Sequence, residues 1–247
     1  MDSEAHLGRV SDTEPRRTIV AMGGLSWEDD ERRRLEDYFL SFAQRERPKV
    51  LFVPTAAANG AEQTLWIYQQ LADRADVSHL PFFPWPPSDL RELALDQDVI
   101  YVSGGNTANA LAIWRVHGFD AILREAWEAG VVLTGWSAGM ICWFEAGVTD
   151  SFGPQLEGMR DGLGFLPGSA CPHYDGEAER RPVYQRLVSE GFPPGLAADD
   201  CVGLRFDGTE IAEVVSARGN SGAYRVTAEG EERIEPRLLG ENLSART

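Results

Sequence analysis

Gly135-Trp136-Ser137-Ala138-Gly139 is where residue types and spacing most clearly allow chemistry. It follows the apolar run Gly130–Thr134, which reads as a buried strand, and precedes Met140–Phe144, which reads as the first turns of a packed helix. A Gly-x-Ser-x-Gly turn between strand and helix is the nucleophile-elbow pattern. The sharp turn pushes the hydroxyl out at the carboxyl edge of the sheet, and close packing leaves room only for glycine on either side. The N–H of Ala138 then sits at a helix N-terminus, where unpaired donors and the helix dipole favour an oxyanion. The same pentapeptide also occurs in ordinary tight turns, so its flanking elements carry the argument.

A nucleophilic serine needs a base. The chain has four histidines. His6 lies in a polar leader, His79 precedes a short apolar segment, and His117 falls in a helix-end context before Gly118. His173, after Pro172 at an expected strand end, is the best base by position. A carboxylate must orient it, and Glu145, Asp150, Glu157 and Asp161 lie between serine and histidine. Asp150 is favoured because it follows the elbow helix and opens a loop able to return to the site.

Ser103-Gly104-Gly105-Asn106-Thr107 is a second glycine-rich strand end. Its backbone N–H groups can approach a ligand closely. The Gly105 N–H is a candidate second oxyanion donor beside Ala138. The same loop also suits a phosphate, or a tight turn with Asn106 or Thr107 as a helix N-cap. It lacks the third glycine and later acid of a dinucleotide fingerprint, and no Walker A pattern occurs.

These loops need elements to hold them. Apolar runs at residues 18–22, 49–54, 98–102 and 130–134 read as strands, and 79–83 as a short strand or extended segment. Patterned stretches at 28–43, 61–75, 90–95, 108–116 and 119–129 read as helices between them. Such alternation predicts a mostly parallel sheet with helices on both faces and chemistry at the strands' carboxyl ends. Residues 147–168 are glycine-rich and read as loop, 169–173 as a strand, and 181–190 as a helix. Four short antiparallel strands are expected at 201–205, 210–216, 223–226 and 232–236, with Asp207-Gly208 as a hairpin turn. Residues 1–15 read as a flexible lead-in and 16–247 as one domain.

The net charge of −16 over 247 residues argues against nucleic acid and anionic membranes as partners. Three widely spaced cysteines suggest neither a zinc ribbon nor a disulfide framework, and fit reduced thiols in a cytoplasmic enzyme. No apolar run is long enough to span a bilayer. No cofactor or metal is expected; Cys171 and His173 could share a metal, but no close ligand pair supports it. A homodimer is left open.

Taken in order, Gly-Gly-Asn-Thr at 104–107, Gly-Trp-Ser-Ala-Gly at 135–139, Thr-Asp-Ser at 149–151 and Cys-Pro-His-Tyr at 171–174 resemble serine peptidase family S51, which includes peptidase E, an aspartyl dipeptidase, and the cyanophycinases. The resemblance spans roughly residues 18–226. It implies a three-layer α/β/α sandwich with a mostly parallel central sheet, akin to class I glutamine amidotransferases, followed here by a short antiparallel C-terminal β segment. It implies Ser137 as nucleophile, His173 as base, the N–H groups of Gly105 and Ala138 as oxyanion donors, and Asp150 as third triad member, with Glu157 the lesser candidate. Asn106 is expected to bind substrate, a dipeptide or short peptide. Residues around Glu145 and at 174–177 depart from the aspartyl dipeptidase pattern. An N-terminal aspartate would require a cation in the pocket, for which Arg180, Arg181, Arg205 and Arg218 are candidates. An α/β-hydrolase esterase ranks lower, because only 36 positions separate Ser137 from His173. A non-catalytic small-molecule-binding domain on an amidotransferase-like scaffold is the other alternative.

Overall fold

The computed structural model of the protein describes residues 15–240; His6 and most of the expected lead-in lie outside the described residues. The chain opens with β1 (Thr18–Met22), α1 (Asp29–Leu40), β2 (Lys49–Val53), a 3-10 turn at Thr55–Ala57, α2 (Ala61–Leu71) and β3 (Asp76–His79). It continues through α3 (Leu90–Leu95), β4 (Val99–Val102), α4 (Thr107–Val116), α5 (Phe119–Glu128), β5 (Val132–Trp136), α6 (Ala138–Ile141), β6 (Phe144–Thr149), β7 (Glu157–Met159) and β8 (Leu166–Cys171). It ends with α7 (Arg180–Ser189), β9 (Gly195–Ala198), β10 (Val202–Asp207), β11 (Glu210–Ser216), β12 (Ala223–Thr227), β13 (Gly230–Ile234) and β14 (Arg237–Leu238).

The larger sheet runs β14-β11-β10-β1-β5-β4-β2-β3. Its centre, β1, β5, β4, β2 and β3, is parallel throughout. Alternation along these strands sorts side chains between two faces. Val20, Met22, Val50, Phe52, Val99 and Tyr101 pack against Leu35, Phe39, Ile67 and Leu71 of α1 and α2. Ile19, Ala21, Leu51, Val53, Ile100 and Val102 face α4 and α5 through Leu111, Trp114, Leu123 and Trp127. The result is the expected helix–sheet–helix layering.

The final strands divide differently from the expectation. β10 extends the main sheet antiparallel to β1, and β11 pairs antiparallel with β10. β12 and β13 instead join a second, six-stranded sheet ordered β13-β12-β9-β8-β6-β7. This sheet was not legible, because β6 and β7 fall where glycines at 147, 153, 158, 162 and 164 suggested loop. Its centre is again parallel, β6 to β8 and β8 to β9. The helix after the elbow is also shorter than expected: α6 is a single turn, and Cys142 and Trp143 carbonyls already accept N–H groups from Leu163, Phe165 and Leu166. A short apolar run does not distinguish helix from buried strand.

The two sheets share an apolar cluster in which Ile19 and Leu133 occur together with Phe144, Leu166, Ala170 and Leu196. Phe165 lies within it, stacked on Trp127 at 5.5 Å and tilted against Trp143 at 5.9 Å. None of the helices formed by described residues is long and apolar enough to cross a membrane. Phe165→Ala leaves a cavity between both sheets and is expected to lower unfolding free energy by about 3–5 kcal/mol in a denaturant titration, with the two sheets losing structure in one transition.

Candidate functional site

The loops after β1, β4, β5, β6, β8 and β9 meet at one edge, and each leaves the carboxyl end of a strand with a parallel partner. Ser137 directly follows β5 with φ +56° and ψ −109°, a left-handed turn conformation rarely taken by a residue other than glycine. Its neighbours explain why the turn closes. A Cβ at Gly135 would meet the carbonyl oxygens of Gly139 and Val102 at 2.7 Å, and one at Gly139 would meet Val102 O at 2.5 Å. Only glycine lets α6 start this close to β4 and β5.

The loop after β4 closes against the same turn. A Cβ on Gly104 would lie 3.4 Å from Ser137 Cβ and 2.6 Å from Trp136 Nε1. Gly105 has φ +132°, and a Cβ there would run into the Ala56 carbonyl, so a side chain is excluded there too. Among the described residues, neither the Gly105 N–H nor the Ala138 N–H donates a hydrogen bond. Asn106 is the N-cap of α4: its Oδ1 accepts the Asn109 N–H at 2.9 Å, and its Nδ2 donates to Ser151 O at 2.9 Å. Its amide is thus occupied at both ends. Ser151 Oγ accepts the Ala108 N–H at 3.2 Å and bonds Thr149 Oγ1 at 2.7 Å. The Thr149–Ser151 segment therefore clamps the Gly105 loop.

His173 follows β8 with φ +52°. Its Nδ1 bonds a carboxylate at 2.7 Å, and that carboxylate is Asp200, not Asp150. This corrects the sequence expectation. Asp150 is exposed at the end of β6 and Glu157 is exposed on β7, and neither side chain makes a hydrogen bond among the described residues. Glu145 accepts the Gly168 N–H at 2.9 Å, and Asp161 pairs with Arg115 at 2.7 Å. Asp200 follows the histidine instead of lying between serine and histidine, and chain order does not dictate spatial order in such constellations. The available signal was an Asp-Asp pair, Asp199-Asp200, after the small apolar run 195–198.

The β1 exit turn, Gly23-Gly24, holds the two halves together. The Ser137 N–H donates to Met22 O at 3.1 Å, and Gly24 forms a parallel bridge with Asp200. A Cβ on Gly24 would press on Asp200 Oδ1 and come within 2.8 Å of His173 Nδ1. Ser137 and His173 make no direct hydrogen bond among the described residues, but Ser137 is fastened to Met22 at the end of β1 and His173, through Asp200, to Gly24 just beyond it. Asp175 Oδ1 accepts the Asp200 N–H at 2.8 Å and completes the cradle.

Asp199, beside Asp200, points the other way into the second sheet. It is 2% exposed and accepts the Gly222 N–H at 2.8 Å, while its other oxygen has no partner among the described residues. Burial pushes its carboxyl up to about 6. The Cys171 thiol is likewise pushed up to about 12 by burial, and its S–H faces Pro172 O rather than the site. His79 bonds the Tyr68 hydroxyl at 3.1 Å, and His117 lies against Phe82.

A cavity of about 590 Å³ opens beside the imidazole, lined by Leu25, Trp27, Glu62, Trp66, Trp136 and His173 among others. None of the four arginines considered from sequence lines it among the described residues. Arg180 is buried on Val148 O, Arg181 lies over Tyr174 and Tyr224, Arg205 pairs with Asp207, and Arg218 pairs with Glu31.

Residues 19–214 match the model of Peptidase family S51, and the chain belongs to that family. It is 48% identical over 212 residues to the uncharacterized peptidase YgaJ of Bacillus subtilis (strain 168), covering 84% of this chain and 91% of that protein. It is 26% identical over 219 residues to peptidase E of Shewanella denitrificans, covering 84% and 89%. Among solved structures, a peptidase from an acI-B1 Actinobacterium superposes with a TM-score of 0.66 at 17% identity, covering 92% of this chain and 96% of that one. A putative peptidase E protein from Listeria monocytogenes EGD-e gives 0.58 at 18% identity, covering 89% and 100%. These two likenesses concern the fold.

Gly24→Ala is expected to retain the far-UV circular dichroism of the parent while losing the downfield Nδ1 proton resonance of His173, since the added methyl displaces the Asp200 carboxylate. Asp199 binds its proton more tightly folded than unfolded, so it subtracts stability as pH rises from its ordinary 3.8 through about 6. Asp199→Asn removes that loss. Thermal unfolding of the variant is expected to gain on the parent progressively between pH 4 and pH 7.

Proposed function

We propose that the protein is a serine hydrolase of dipeptides or short peptides, acting in the cytoplasm without a cofactor. The observation that carries this is the end of β1, residues 22–24, which fastens the half-buried serine elbow on one side and a carboxylate-held imidazole on the other. Asp200 on Nδ1 leaves Nε2 as the ring nitrogen free to take a proton, which is the tautomer a general base requires. Ser137 Oγ attacks the peptide carbonyl as His173 accepts its proton. The developing oxyanion takes the N–H groups of Gly105 and Ala138, which have no other acceptor. His173 then returns the proton to the leaving amine, and water hydrolyses the ester on Ser137 by the same steps in reverse. A serine–histidine hydrogen bond is commonly long in a free enzyme and tightens around substrate.

In this mechanism Asp200 replaces Asp150 as the residue orienting the base. Assayed on a dipeptide panel, Ser137→Ala is expected to lower kcat/KM by a factor on the order of 10³ or more, and Asp200→Asn by a comparable factor. Asp150→Asn is expected to stay within about threefold of the parent, because an exposed side chain that makes no hydrogen bond among the described residues changes little. Undiminished peptide hydrolysis by Ser137→Ala would remove the mechanism. Failure of a serine-directed phosphonate to label the parent would favour a non-catalytic binding domain, and turnover of esters alone would favour an esterase.

A further inference from the structure

We propose that the cavity beside His173 is a subsite for a cationic substrate side chain, arginine or lysine, and that it disfavours an acidic one. This rests on the peptidase assignment above and names the substrate class for it. The cavity walls are Trp27, Trp66, Trp136 and Leu25, a set of aromatic faces suited to an aliphatic stem or a planar guanidinium. Its charged lining is Glu62, Glu177, Asp200 and His173, with neither lysine nor arginine among the described lining residues. Asp200 is engaged by His173 at 2.7 Å, and Glu177 by Arg180 at 2.7 Å. Glu62, at the start of α2, makes no ion pair or side-chain hydrogen bond among the described residues. Its neighbour Gln63, also on the wall, has a buried carbonyl oxygen without a donor. Glu62 therefore offers an exposed carboxylate without a partner that a cationic donor in the cavity would supply.

Two further arginines touch lining residues and are already matched. Arg32 stacks on Trp66 at 4.8 Å but is held by Asp29, Glu36 and Gln70. Arg218 reaches Ser26 Oγ at 3.4 Å and is paired with Glu31 at 2.9 Å. A substrate carboxylate would leave water to face Glu62 with no free cation beside it, which both desolvation and like-charge repulsion oppose. The chain's net charge of −16 acts in the same sense at longer range, drawing cations to the surface.

The test uses the full chain carrying Ser137→Ala, with arginine amide and aspartic acid amide as probes and tryptophan fluorescence as the readout. Arginine amide is expected to bind about fivefold tighter than aspartic acid amide, and Glu62→Gln is expected to erase most of that difference, the size of one exposed charge-pair coupling. Equal binding of the two amides, or an arginine affinity indifferent to Glu62→Gln, overturns the proposal. Hydrolysis of Arg-, Leu- and Asp-containing dipeptides by the parent separates the two levels. Turnover with Asp peptides preferred sinks the cationic subsite and spares the hydrolase. Absence of all turnover, with Glu62-dependent arginine binding intact, upholds the subsite and sinks the hydrolase.

Discussion

The close approach of two backbone segments, Gly23-Gly24 and Asp199-Asp200, is the constraint on which this structure rests. A Cβ at Gly23 would run into the carbonyl oxygens of Asp199 and Ala198, and one at Gly24 into the Asp200 carboxylate. Because neither glycine carries a side chain, the Gly23 N–H reaches Val202 O at 3.0 Å and the Cys201 N–H reaches Gly24 O at 3.0 Å. The main sheet and the second sheet are stitched together at this point. Serine comes from the first sheet, and imidazole and carboxylate from the second.

Much of the scaffold follows from that seam. β8 and β9 are adjacent parallel strands, so His173 and Asp200 emerge from neighbouring carboxyl ends and their side chains meet. β5 lies beside β1 in parallel register, so Ser137 emerges next to the seam. The left-handed conformations at Ser137 and His173 are held by surrounding packing, as strained backbone at sites of chemistry generally is. Burial of the interlocking aromatic groups Trp127, Trp143 and Phe165 fixes the second sheet against the helices of the first.

The sequence was informative where one physical requirement has one local solution. Gly135 and Gly139 mark the elbow because nothing larger fits, and continuous apolar runs mark strands buried on both faces. It was uninformative where short strands carry glycine. β6, β7 and β9 contain Gly147, Gly158 and Gly195, each pressed against a neighbour, so the residue type that suggested loop instead serves close strand packing. Asp150 and Asp200 differ by nothing in residue type; long-range pairing of β8 with β9 decides between them. The Thr149–Ser151 motif, expected to supply the acid, supports the glycine loop through its hydroxyls. The arginines were similarly unreadable, because an arginine's partner is a tertiary property.

The donors at positions 105 and 138 belong to the main chain, not to side chains. No titration, oxidation or ordinary replacement can delete an amide hydrogen; at position 138 only proline lacks one. In the proposed mechanism the electrophilic half of the site is thereby insulated from solvent conditions and from drift in residue identity, and adjustment to acidity or to new substrates would be made through the imidazole, its carboxylate and the walls around them.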